Sequence, residues 1–137
     1  MQMPELLFQT LQLIWPMLLA DLLELDFFVP HGLSVAMLLP FVLDFSTPSS
    51  KKRIREIAKI LYPERKEHHP QDVVERVLDL NNQFATYDQG KAYFTDEELE
   101  KAIPQLTQDA RSGNGILTNR QIPTEKDIHI LYKKLLP

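Results

Sequence analysis

The chain contains no cysteine, which removes disulfide frameworks, zinc–thiolate centres and thiol nucleophiles and leaves imidazoles and carboxylates as the ordinary metal ligands. Its glycines are few and scattered, at Gly32, Gly90, Gly113 and Gly115, so no Gly-rich loop exists to cradle a phosphate and no nucleotide-binding motif is recognisable. The first fifty residues hold no Lys or Arg at all, against five acids, Glu5, Asp21, Glu24, Asp26 and Asp44. A secretory leader needs positive charge ahead of its apolar run, so secretion is not expected and a cytoplasmic protein is. The apolar stretch from Leu13 to Ala20, broken by Pro16, falls far short of the ~20 residues that span a bilayer, and no membrane span is expected. The net charge of -4 argues against a general nucleic-acid binder, because such proteins gather Lys and Arg to neutralise phosphates.

What is present is the material for one all-α domain, expected to cover residues 1–137, with an ordinary share of apolar and charged residues and a length that can bury a useful core. No stretch alternates with the period of a strand, and no repeat is found. The N-terminal region, residues 1–28, reads as a helix from Pro4 to Phe28 that is apolar on nearly every side around Leu13 to Leu19. Such a helix must be buried all round, which a small domain achieves most simply by lending it to a partner: a missing domain or a second copy of the chain.

Val29-Pro30-His31-Gly32 breaks that helix. A second apolar helix is expected over 33–45, then a turn at Ser46-Thr47-Pro48-Ser49-Ser50, then a surface helix with Ile54, Ile57, Ala58 and Leu61 on its buried stripe. A charged loop from Tyr62 to His69 leads to Pro70 as the first residue of a helix whose apolar face is Val73, Val74, Val77, Leu78 and Phe84. Gly90 is placed in the loop beyond. Thr95-Asp96-Glu97-Glu98 has the spacing of a capping box, and Pro104 is expected to open a separate helix carrying Leu106 and Ala110. Gly113-Asn114-Gly115 should end it. Pro123-Thr124 with Asp127 starts a last helix with Ile128, Leu131, Tyr132 and Leu135 on its stripe.

The run Val29-Pro30-His31-Gly32-Leu33-Ser34-Val35-Ala36-Met37-Leu38-Leu39-Pro40-Phe41-Val42 resembles the signature of the iron-containing alcohol dehydrogenases, in which a Pro-His-Gly turn opens an apolar helix ending in Leu-Leu-Pro. Ile103-Pro104, Asp109, Asn119-Arg120, Thr124 and Asp127-Ile128 with Leu131-Tyr132 follow the same family's C-terminal pattern, although the proline of its Asn-Pro-Arg loop is missing. The resemblance covers residues 29–137. It implies a C-terminal helical domain that normally packs against a separate nucleotide-binding domain, with NAD(P) and a divalent metal, Fe2+ or Zn2+, in the cleft between them. It also implies NAD(P)-linked alcohol or aldehyde chemistry that this chain cannot complete alone.

Of the Asp and three His that hold the metal in that family, the resemblance carries over only His31. Met17 and Asp21 stand where a His-x-x-x-His pair should be, and a thioether is a poor ligand for a borderline divalent ion. Since a lone imidazole cannot hold such an ion against water, other donors are needed, and Asp21 is one carboxylate that could join it. The competing expectation is a non-catalytic helical module that interacts or oligomerises through its apolar first helix, with Trp15 and Phe27-Phe28 as candidate anchors.

Three further clusters have simpler readings. His68-His69 with Glu64 and Glu67 resembles a metal clip, but neighbouring side chains in a loop point apart. His129 reads as a partly exposed helical residue. The run Lys51, Lys52, Arg53, Arg55 and Lys59 has the composition to bind phosphate or an acidic partner, but reads most simply as a solvated helix face.

Overall fold

The computed structural model describes residues 14–112 and 122–137, with side chains from Leu18 onward. Among the described residues six helices follow one another: α1 Ile14–Phe27, α2 His31–Leu61, α3 Pro70–Gln83, the short α4 Thr86–Gly90, α5 Asp96–Ser112 and α6 Glu125–Lys133. Among the described residues there is no strand, as the periodicity requires. The expected start of the first helix at Pro4, the side chains of Trp15 and Met17, the Gly113-Asn114-Gly115 stop and the Asn119-Arg120 loop lie outside the described residues.

The main core is built where α1 and the first half of α2 lie against α5 and α6. Leu19, Leu23, Val29, Met37, Leu38, Leu99, Ile103, Leu106, Ile128 and Tyr132 are all buried there. Tyr132 reaches furthest: its hydroxyl donates to the carbonyl of Leu19 at 3.0 Å, tying the last helix to the first across the centre of the molecule. A second, smaller cluster of Leu43, Ile54, Ala58, Val73 and Val74 joins the second half of α2 to α3. Asn81 of α3 connects the two: its amide donates to the Ala36 carbonyl at 2.8 Å and to the Tyr87 hydroxyl at 3.2 Å, and Tyr87 in turn donates to the Met37 carbonyl at 3.2 Å.

α2 differs from expectation. The turn expected at 46–50 contracts to a kink: helix continues through Pro48, and two helical segments meet at Ser50 (φ -134°, ψ 23°). Pro48 deprives one carbonyl of its partner, but side chains supply local bonds that hold the coil: Thr47 donates to the Leu43 carbonyl at 2.9 Å and Ser49 to that of Ser46 at 3.1 Å. Such back-bonding bends a helix without ending it. The opening stretch of this helix is long and apolar enough to cross a membrane by length and composition alone, yet Met37, Leu38 and Val42 are spent on the core.

Pro104 also fails to start a new helix. α5 runs unbroken over Asp96–Ser112, because Leu99, Ile103, Leu106 and Ala110 form one buried stripe across the proline while Pro104 itself is exposed. Water can satisfy the carbonyl that the proline leaves unbonded. Phe84 leaves the apolar face assigned to it: it caps α3 and is 67% exposed, since the helix ends before the stripe reaches it. Gly90 is not in a loop but at the buried end of α4, where an added Cβ would lie 2.7 Å from the terminal methyl of Met37.

The expected caps form. Thr95 and Glu98 satisfy each other's backbone donors at 3.2 and 2.8 Å, and Thr124 and Asp127 do the same at the start of α6.

Candidate metal centre

The junction between α1 and α2 is made by three residues. Phe28 takes a left-handed conformation (φ 58°) and its amide donates to the Glu24 carbonyl at 2.8 Å, stopping α1. This position favours glycine, and a bulky residue there stores strain. Val29 then drops into the core, Pro30 is extended, and α2 begins at His31. Two helices are thereby reversed with almost no linker, so the first residue of one is set beside the last two turns of the other.

His31 consequently faces Asp21 and Glu24. Its Nδ1 lies 3.1 Å from a carboxylate oxygen of Asp21 and 3.5 Å from one of Glu24. Asp21 and Glu24 are three apart on α1 and so project from the same side of that helix. One nitrogen and two oxygens, all within 4.8 Å of one another, form a three-donor cluster. The N-terminal end of α2, where His31 stands, lies beside both carboxylates.

As a donor set, imidazole with two carboxylates suits borderline divalent ions such as Zn2+ or Fe2+. Three protein ligands with a position left for water or substrate is the pattern of catalytic rather than structural zinc sites. The side chains are about half exposed, at 42% for His31, 54% for Asp21 and 49% for Glu24, so water competes for every ligand. Without an ion, the same contacts are close approaches of the imidazole to two carboxylate oxygens.

Of the candidates named from the sequence, Asp21 and His31 are brought together. Glu24 was missed: nothing in its own surroundings marks it, and only its spacing from Asp21 combined with a linker this short could have identified it. The His68-His69 pair parts as expected, His68 meeting the Tyr62 carbonyl at 2.7 Å while His69 caps α3 with Asp72 and lies 3.7 Å from Glu67. His129 lies half-buried on α6. Leu25 and Phe28, 72% and 83% exposed, border the three-donor cluster in sequence.

Comparison with known proteins bears on this arrangement. No curated protein sequence matches the chain significantly. The solved structure of an iron-containing alcohol dehydrogenase from Thermococcus thioreducens superposes with a TM-score of 0.75 at 22% identity, over 88% of this chain and 31% of that enzyme. The likeness establishes the fold, and the chain spans less than a third of that enzyme's length. The sequence profile of the Fe-containing alcohol dehydrogenase family, C-terminal, matches residues 19–136, a stretch that takes in α1 from Leu19, the Pro30-His31-Gly32 turn and the whole of α6. The chain therefore belongs to the iron-containing alcohol dehydrogenase family, as its C-terminal helical domain.

Proposed function

We propose that this domain contributes the helical side of an NAD(P)-linked alcohol or aldehyde oxidoreductase, with a divalent metal held by His31, Asp21 and Glu24 and the nucleotide bound by a separate domain. The observation that carries the reading is the convergence of Asp21 and Glu24 on the one histidine of the family motif. A metal held there supplies Lewis acidity toward an alcohol oxygen, while hydride acceptance belongs to the nicotinamide cofactor. The chain's own contribution is positional. The strained Phe28 turn fixes His31 against α1, Asp21 and Glu24 offer their oxygens beside its imidazole, and the exposed Leu25 and Phe28, close by in sequence, offer apolar surface to a partner domain.

Metal content of anaerobically purified protein, wild type beside His31→Ala and Glu24→Gln, tests this. A stoichiometric divalent ion in the wild type, lost in His31→Ala and held more weakly in Glu24→Gln, is the expected result. Protein that takes up neither iron nor zinc on titration would leave the family membership as ancestry only.

A second reading is favoured by one observation: Asp21 stands where the family motif has an imidazole, and Leu25 and Phe28, close to it in sequence, are exposed apolar side chains. In that reading the domain is a non-catalytic interaction or oligomerisation module. Association that weakens in Phe28→Ser while the metal content is nil would select it.

A further inference from the structure

The acids around His31 and the cations that follow the Ser50 kink stand at opposite ends of α2. The first fifty residues hold five acids and no Lys or Arg, a charge of -5, whereas residues 51–59 hold five cations and one acid, a charge of +4. His31 and Lys51 are twenty residues apart on this helix, which is about 30 Å at the helical rise. The two groups are too far apart to neutralise each other within one chain. Among the described residues Lys51, Lys52, Arg55 and Lys59 have no carboxylate within ion-pair distance, and Arg53 reaches Glu56 at 3.4 Å. Lys51, Arg55 and Lys59 recur every four residues, a spacing at which like charges repel.

Each group has an exposed aliphatic side chain in its midst. Leu25 is 72% exposed and projects from the side of α1 away from the buried Leu19 and Leu23. Asp21 stands one turn before it on that side, and Glu24 flanks it. Ile60 is 79% exposed and projects from α2 away from the buried Ile54 and Ala58. Arg53 stands two turns before it, with Lys52 and Lys59 to one side, all exposed. A single exposed aliphatic residue is ordinary on a protein surface. Here there are two, each set among charges opposite in sign to those around the other, so the two faces complement one another in both apolar surface and charge.

We propose that these faces are the two sides of a contact between copies of this chain: the acidic face of α1 in one copy docks on the basic outer face of α2 in the next. Leu25 covers Ile60, and Asp21 and Glu24 meet Lys52 and Lys59. Pairing unlike faces is favoured by their opposite potentials, while either like pairing is opposed by repulsion. Exposed ion pairs stabilise little individually and two short helix faces make a small interface, so the association is weak and sensitive to salt. It competes with a metal for the oxygens of Asp21 and Glu24 but needs none, and so stands or falls apart from the metal reading.

Sedimentation velocity of the full chain in EDTA and about 50 mM NaCl, from about 10 to about 500 μM protein, tests the contact with metal out of play. The wild type should gain mass with concentration and return to monomer in about 500 mM NaCl. Asp21→Lys/Glu24→Lys and Lys52→Glu/Lys59→Glu should each stay monomeric. Their equimolar mixture should associate again, because each variant keeps the face that the other has lost. Leu25→Ser and Ile60→Ser, which change no charge, should each weaken association by about fivefold to tenfold. A wild type that is monomeric throughout, a folded charge-reversal variant that associates as the wild type does, or a mixture no heavier than its parts would overturn the proposal. Should a reversal unfold the chain, undiminished association of both serine variants overturns it instead.

Discussion

The two halves of α2 make unequal use of the same helix. Before Ser50 the helix carries one acid and no Lys or Arg, and it gives Met37, Leu38 and Val42 to a core that also takes in α1, α5 and α6. After Ser50 it gives Ile54 and Ala58, with Ile57 packed alongside, to a cluster shared with α3 that Leu43 of the first half also joins, and most of its remaining surface, Ile60 and Leu61 as well as the charged residues, is exposed. Among the described residues the first cluster has sixteen buried members and the second five. Hydrophobic stabilisation scales with the area withdrawn from water, so the first half anchors the domain and the second half is fastened to it.

The largest expected effect tests that inequality directly. Leu38→Ala, at a fully buried site in the large core, should cost about 3–5 kcal/mol, whereas Ile54→Ala, in the small cluster, should cost about 2–3 kcal/mol because its surroundings can collapse or admit water. Chemical denaturation of both variants would show it. Equal losses with unchanged m-values would mean the two clusters are one cooperative core and the comparison is false.

Asn81→Ala comes next, because Asn81 is the polar tie between the halves. Removing it leaves the Tyr87 hydroxyl and the Ala36 carbonyl one partner short in a nearly closed environment, at an expected cost of about 1–3 kcal/mol. If α3 is merely fastened on, its amide protons should lose hydrogen-exchange protection in this variant while those of α1 and α6 keep theirs. Uniform loss of protection would argue against a separable second half.

Tyr132→Phe sharpens the other side of the comparison. Burial pushes the Tyr132 phenol far above its ordinary range, with Asp26 and Asp109 adding to the effect. The unfolded chain releases this proton near pH 10 and the folded chain does not. The unfolded state therefore binds fewer protons above that pH, and stability, unaffected below it, falls as pH rises through and beyond it. Tyr132→Phe should cost about 1 kcal/mol at neutral pH through the lost bond to the Leu19 carbonyl and should remove part of the alkaline loss. An unchanged slope of stability against pH above 10 would show that Tyr132 is not the group responsible. Tyr87, raised by burial and pulled partly back by the Asn81 amide, adds a smaller contribution of the same sign.

Sequence patterns located most of this fold because its helix boundaries are local chemistry. Pro70, Thr95 with Glu98, and Thr124 with Asp127 announce themselves by residue type and spacing, and each starts a helix at or next to the expected position. Pro104 misled because the signal for a break is local while the force that overrides it is not: a continuous buried stripe on either side is stronger than one missing hydrogen bond, whereas near Pro48 the break is displaced two residues along, to Ser50. His31 was legible through its motif. Glu24 was not, because its approach depends on Phe28 adopting a backbone conformation that no Phe in a sequence advertises. The Ser50 hydroxyl was hidden for the same reason, since only the packing of α2 shows that it is buried and unpartnered.

The smallest expected effect concerns the basic face itself. If Lys51, Arg55 and Lys59 repel one another in the absence of an anion, Lys59→Gln should stabilise the domain by a few tenths of a kcal/mol, against the usual sign for a substitution. Raising NaCl from about 50 mM to about 500 mM should raise the melting temperature of the wild type more than that of Lys59→Gln, because the repulsion is exposed to screening. A Lys59→Gln variant less stable than wild type at low salt would mean that the cation is already compensated within the chain, and the helix half beyond Ser50 would then be fastened more firmly than its five-residue cluster suggests.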